Sequence, residues 1–239
     1  MKKRLLICII CICTIICCIN AVAFAKDSES IVISYENNGK LDVEVLDKYN
    51  DLEKDAECKE EAEYVIKSGL MGGVSENMFA PDTTLTRAMI VTVLWRMEGC
   101  PVANYALSFE DVEKESWYTE AVRWAAATEI VNGYTEKQFA PSDLITREQL
   151  ATIMWRYAKY KGVDVSVGEN TNILSYDDIF SVNEYAIPAF QWTCGSGIMS
   201  GSTETTLAPG EYVSRIYFAS VIYKYSLNVK KSPSATDVR

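Results

Sequence analysis

Phe139-Ala140-Pro141-Ser142-Asp143-Leu144-Ile145-Thr146-Arg147-Glu148-Gln149-Leu150 reads as a loop, carrying an aromatic and a proline, that runs into a helix. The pattern occurs three times. Sixty residues earlier stands Phe79-Ala80-Pro81-Asp82-Thr83-Thr84-Leu85-Thr86-Arg87, and sixty-eight residues later stands Leu207-Ala208-Pro209-Gly210-Glu211-Tyr212-Val213-Ser214-Arg215. In each copy the Arg lies eight positions after the Phe or Leu and six after the Pro. Such fixed spacing marks an internal repeat, a unit that closes a core only by packing with its neighbours.

Downstream of the motif the copies share apolar columns at helical spacing: Ile90, Leu150, Phe218; Val93, Ile153, Val221; Leu94, Met154, Ile222; Trp95, Trp155, Tyr223. Thr86, Thr146 and Ser214 stand where an N-cap belongs, and only the second copy completes a capping box, through Gln149. Each motif Arg then takes the first helical position. The Pro fixes φ, so the approach to this helix is expected to be extended.

Upstream, each copy begins aromatic, polar, Asp, aliphatic: Tyr49-Asn50-Asp51-Leu52, Phe109-Glu110-Asp111-Val112 and Tyr176-Asp177-Asp178-Ile179. A first helix follows, clearest in the second copy, where Trp117, Ala121, Val122, Trp124 and Ala125 share a face and Ser116 can cap the start. Tyr185, Ala189, Phe190 and Trp192 repeat this in the third copy, while the first copy has Glu57 in the Trp117 column. Each first helix ends at a turn bearing an equivalent glycine, Gly73, Gly133 or Gly201. Glycine there suits a positive φ or a close approach to another chain segment or ligand.

The N-terminus, Met1-Lys2-Lys3-Arg4, an apolar run to about Ile19, and Ala23-Phe24-Ala25, has the form of a secretory signal over residues 1–25. Its removal leaves 20 of the 23 basic residues against 33 acidic ones, a formal charge of −13. A net field of that sign opposes binding to nucleic acid or an anionic bilayer, so an anionic ligand needs local Arg groups. No membrane span is expected after cleavage. Residues 26–48 form a β-prone prefix, with two short runs around Asn37-Asn38-Gly39 that suit a hairpin. The three copies occupy 49–101, 102–161 and 162–226, and a polar tail, 227–239, is expected to fray. Cys58, Cys100 and Cys194 remain after cleavage, as one disulfide plus a thiol or as three unpaired residues, and their spacing fits no zinc pattern.

The order Phe-x-Asp-Val, Trp-Tyr, helix, Gly-bearing turn, Phe-x-Pro, Ile-Thr-Arg-Glu-Gln resembles the S-layer homology module. The resemblance runs from about Tyr49 to Tyr225; the third copy departs from it, with Val213-Ser214-Arg215-Ile216 in place of Ile-Thr-Arg-Ala. It implies a mainly all-α fold in which three tandem helix-loop-helix repeats adopt a pseudo-threefold, trimer-like arrangement. It further implies a secreted, cell-wall or S-layer associated protein, peptidoglycan-associated through secondary cell-wall polysaccharide. The implied ligand is pyruvylated N-acetylmannosamine in grooves between copies, with no cofactor.

Carried over residue by residue, the implied ligand-binding set is Arg87, Arg147 and Arg215; Asp51, Asp111 and Asp178; Trp117 and Tyr185; Gly73, Gly133 and Gly201; and Thr146. Glu57 leaves the corresponding place in the first copy without an aromatic. The chemistry is coherent: a ketal carboxylate suits a guanidinium fork, and a helix N-terminus adds amides. Each Arg can instead serve a salt bridge, and each Asp a turn or cap. Trp95, Trp124, Trp155 and Trp192 read as core. Because the second copy keeps every part, a sole working groove is expected to use Arg147.

Enzymatic activity finds little support. The chain has no His, which removes most triads and common metal sites, and the three copies leave little room for a catalytic domain. The alternative to wall binding is a structural or protein-interaction scaffold at the surface, built from decayed copies.

Overall fold

A computed structural model describes residues 46, 48–52, 58–166 and 170–229. The signal, nearly all of the prefix, Glu57 and the end of the tail lie outside them. Six α-helices appear among the described residues: α1 Lys59–Lys67, α2 Arg87–Met97, α3 Thr119–Ala127, α4 Arg147–Tyr160, α5 Ile187–Gly195 and α6 Arg215–Asn228. Two 3-10 turns, Ile179–Ser181 and Glu184–Ala186, precede α5. No strand longer than an isolated bridge occurs among the described residues, so the mainly all-α expectation holds.

Helix partners are exchanged between copies. α3 packs on α2, α5 on α4, and α1 on α6, so each pair joins the second helix of one copy to the first helix of the next. The third copy closes back onto the first. A sequence repeat is therefore not a packing unit, because the apolar face of each helix is completed by a neighbour. The helices bury their shared columns: Ile90, Leu150 and Phe218 are fully enclosed.

The ring closes around three buried residues, Leu85, Ile145 and Val213. The Leu85 amide donates to the Val213 carbonyl (2.9 Å), Ile145 to Leu85 (3.0 Å) and Val213 to Ile145 (3.0 Å). Two residues on, the amides of Arg87, Arg147 and Arg215 donate to Asp143, Glu211 and Thr83, each 2.9 Å away in the next copy. Helix N-termini carry unpaired amides. Here those of the first and second positions are met by a neighbour's backbone and that of the third by the cap: Thr86 accepts from Met89, Thr146 from Gln149 and Ser214 from Tyr217. The capping box is complete at Thr146, whose amide donates to Gln149 Oε1 (3.1 Å).

The Arg side chains repeat this cycle. Nε of Arg87 donates to the Phe139 carbonyl (2.9 Å) and Nη2 to that of Asn132 (2.8 Å). Arg147 reaches Leu207 (2.8 Å) and Ser200 (2.6 Å), and Arg215 reaches Phe79 (2.8 Å) and Gly72 (2.6 Å). All three are buried, and Arg87 and Arg215 have guanidinium pKa values lowered by that burial. The planar fork meets one buried and one partly buried carbonyl of the next copy.

The approach to each second helix departs from the extended path that the prolines suggest. Ala80, Ala140 and Ala208 stand at positive φ, 57°, 60° and 49°. A left-handed alanine is strained by roughly 1–3 kcal/mol. Each is held by the Asp that begins its copy: Asp51 accepts from the amides of Phe79 (2.8 Å) and Ala80 (2.6 Å), Asp111 from Phe139 (2.9 Å) and Ala140 (2.7 Å), and Asp178 from Leu207 (2.8 Å) and Ala208 (2.7 Å).

Other local expectations shift. Ser116 does not cap α3; its hydroxyl bonds Glu113, and the helix begins at Thr119 without a side-chain cap. α6 continues three residues beyond Tyr225 to Asn228, whose side-chain amide donates to the Ser196 carbonyl (3.2 Å). Trp95, Trp124 and Trp192 are core, whereas Trp155 is only partly buried, under Lys159 Nζ at 4.1 Å from its ring centre. No disulfide joins Cys58, Cys100 and Cys194.

Two outcomes follow for stability. Arg215→Ala and Arg147→Ala each lower the unfolding free energy by roughly 2–3 kcal/mol in urea titrations, since one buried and one partly buried carbonyl lose their donors, and Lys recovers less than half. The second concerns pH. Burial opposes ionisation of Asp51, but the Phe79 and Ala80 amides and Arg215 outweigh it and hold the carboxyl below its ordinary value. With the folded value below the unfolded one, this stabilisation is complete above about pH 4 and is lost as pH falls through the folded value. Asp51→Asn flattens that acid-side slope in unfolding measured across pH.

Candidate ligand-binding groove

The guanidinium of Arg87 lies at the base of an open groove of about 260 Å³. The wall brings together all three copies: Arg87 from the first, Gly133, Tyr134, Gln149 and Arg156 from the second, and Tyr185 from the third. Arg87 stacks under Tyr134, with 4.3 Å from its guanidinium carbon to the ring centre. Gln149, already bound to the Thr146 amide, donates to the Tyr134 hydroxyl at 3.2 Å and so fixes that ring.

Two of the Arg87 nitrogens are committed to carbonyls, and the Tyr134 side chain engages the guanidinium as well. Arg156, on the exposed side of α4, supplies a second guanidinium, half-buried, with no hydrogen bond or ion pair found among the described residues. Tyr185 is half exposed, and its hydroxyl donates to Glu148 Oε1 (3.1 Å). Its pKa is pushed up to about 12, first by burial and then by Glu148, against the pull of Arg156. Two cationic forks beside two phenol rings can hold a carboxylate next to a sugar face.

The glycine of the groove has a different cause from positive φ. A Cβ on Gly133 would stand 2.5 Å from the Phe109 ring and 2.5 Å from the Thr135 carbonyl, and Gly73 and Gly201 meet Tyr49 and Tyr176 in the same way. Close packing of the turn on the copy's first aromatic is what excludes a side chain.

The equivalent positions carry different side chains. At Arg147 the counterpart of Gln149 is Tyr217, whose ring centre lies 4.8 Å from the guanidinium carbon and whose hydroxyl is shielded from solvent. At Arg215 the counterpart of Tyr134 is Val74, and that of Arg156 is Arg96, whose Nη1 is tied to the Leu70 carbonyl (3.0 Å). Trp117 belongs by register to this third position; it is partly exposed and stands edge-on to Tyr118. This groove takes its Arg from the first copy and its walls mainly from the second.

Of the residues singled out in the sequence, Arg87, Gly133 and Tyr185 meet in this groove. Arg147 and Arg215 stand at its two counterparts, while Asp51, Asp111, Asp178 and Thr146 face backbone amides. Arg156 and Tyr134 were missed. The signal for Arg156 was a basic column on the second helices, Arg96, Arg156 and Lys224, which reads as ordinary solvation of a helix face. Among the described residues there is no cluster of three or more metal-ligating side chains, and no helix is long and apolar enough to cross a membrane.

Comparison with known proteins agrees with this architecture. The family model of the S-layer homology domain matches residues 48–88 and 108–151. Exoglucanase XynX of Acetivibrio thermocellus is 27% identical over 175 residues, covering 73% of this chain and 16% of its own length. An endoglucanase of Bacillus sp. (strain KSM-635) is 30% identical over 173 residues, covering 68% of this chain and 18% of its own. The surface-layer 125 kDa protein of Lysinibacillus sphaericus is 26% identical over 185 residues, covering 76% and 15%. The chain therefore spans less than a fifth of the length of these relatives. The third copy, outside the matched segments, makes the same Arg, Asp and cap bonds as the other two. The chain belongs to the S-layer homology domain family.

Proposed function

We propose that the chain is a non-catalytic module that holds an exported bacterial protein to secondary cell-wall polysaccharide, without covalent attachment, through the Arg87 groove. Family membership makes it a cell-surface anchoring module. The ligand class, pyruvylated N-acetylmannosamine, is the finer part of the reading. One observation carries it: Arg156 and Arg87 converge on a groove walled by Tyr134 and Tyr185. A ketal carboxylate placed between the forks leaves the sugar ring against the phenol faces.

Supporting this, the relatives include a surface-layer protein and two named for glucan hydrolysis, of which the chain matches only a small part. A shared segment in proteins with such different names suits an attachment module better than a catalytic one. In this reading the repeats are 49–101, 102–161 and 162–226, Asp111 and Thr146 support the groove by holding its loops, and residues 1–25 direct export.

A surface scaffold without carbohydrate binding is favoured by one observation, the Tyr217 ring over Arg147. Co-sedimentation with purified sacculi separates the two. Wall binding through the groove predicts retention on native sacculi, loss on sacculi stripped of polysaccharide, and at least about tenfold weaker binding for Arg156→Ala, from loss of a charge-assisted hydrogen bond of about 1.5–3 kcal/mol. The melting temperature stays unchanged, because Arg156 holds no part of the fold. Undiminished binding of Arg156→Ala, or retention on stripped sacculi, contradicts it.

A further inference from the structure

Glu148 is the one buried carboxylate that opens a second helix, and the assigned groove does not use it directly. Its exposure is 9%, and the same column holds Ala88 in the first copy and Ile216 in the third. Oε1 accepts from the side-chain amide of Asn183 (2.7 Å) and from the Tyr185 hydroxyl (3.1 Å), and Oε2 accepts from the Asn183 backbone amide (3.2 Å). Glu148 thus ties the segment leading into α5 to the second copy and fixes the ring that forms the third wall of the groove.

The chemical consequence lies in the phenol proton. An ionised carboxylate only accepts, and a phenol has a single proton to give. With that proton directed at Glu148, the Tyr185 oxygen presents only lone pairs to the groove. Arg87 and Arg156 offer donors to the groove, while Tyr185, beside the buried Glu148 carboxylate, offers an acceptor. An anionic group is repelled from the latter, and a hydroxyl or amide N–H is matched to it.

We propose that Glu148 is a positioning residue that fixes Tyr185 as a hydrogen-bond acceptor, so that the groove selects a saccharide presenting a hydroxyl or amide N–H opposite its anionic substituent. This rests on the reading of the Arg87 groove as the saccharide site. It orients the ligand, with the carboxylate at the Arg forks and the neutral edge of the sugar at Tyr185.

The test is a double-mutant cycle by calorimetry on the full mature chain, with a pyruvylated N-acetylmannosaminide as probe. Tyr185→Phe removes only the hydroxyl of a half-exposed ring, so it is expected to leave the melting temperature in place and weaken binding about five- to tenfold. In the Glu148→Ala background the same change is expected to cost less than about twofold, because the acceptor is no longer held. Wild-type affinity for Tyr185→Phe, or an undiminished cost in the Glu148→Ala background, overturns the inference while leaving the groove intact. No binding of the probe to the wild-type chain, alongside unchanged binding of Arg156→Ala to sacculi, overturns both.

Discussion

A guanidinium laid across two carbonyls of the neighbouring copy is the contact on which the whole arrangement depends. Each copy is too small to bury its own helices, and each turn leaves carbonyls facing inward. A charged, planar donor at the first position of a helix meets two of them at once. At Arg87, Arg147 and Arg215 the direction is the same, from one copy to the next, and the third returns to the first. The backbone follows the same circuit, through the Leu85, Ile145 and Val213 amides and those of the Arg residues themselves. An Arg at a helix start is disfavoured by the dipole alone; the carbonyls of the next copy give it a structural reason to be there.

The same geometry builds the groove. Because the Arg reaches forward, the Arg87 guanidinium lies against the glycine turn and second helix of the next copy, with Tyr185 of the third copy as a further wall. Three such positions exist, and they differ in their side chains. Tyr134, Gln149 and Arg156 line the Arg87 position, whereas Tyr217 covers Arg147 and Arg96 is bound to a carbonyl near Arg215. The second copy, the most complete in sequence, contributes most of the open wall but not its buried Arg.

Much of the fold was legible in the sequence. The triple motif, the Thr and Ser caps, the Gln149 capping box and the apolar columns rest on local chemistry, and the structure has them where the spacing puts them. Partner exchange between helices was not legible, since an apolar stripe does not say which neighbour covers it. Two signals were ambiguous for a similar reason. Glycine at 73, 133 and 201 fits either positive φ or close approach, and only the three-dimensional contact with Tyr49, Phe109 and Tyr176 selects the second. Arg at the first helical position fits an anion or a carbonyl, and its distant acceptors, up to 143 residues away in sequence, are invisible locally. Arg156 was hidden because a basic residue on a helix flank is normally solvent-facing.

The most direct measurement is a crystal structure of the mature chain soaked with a pyruvylated N-acetylmannosaminide. The account predicts density in the Arg87 groove, with the ketal carboxylate against the Arg156 guanidinium, the sugar ring against Tyr134 or Tyr185, and the Tyr217 ring still in place over Arg147. Ligand density seated over Arg147 with Tyr217 displaced, or an empty Arg87 groove beside an occupied site elsewhere, would contradict it.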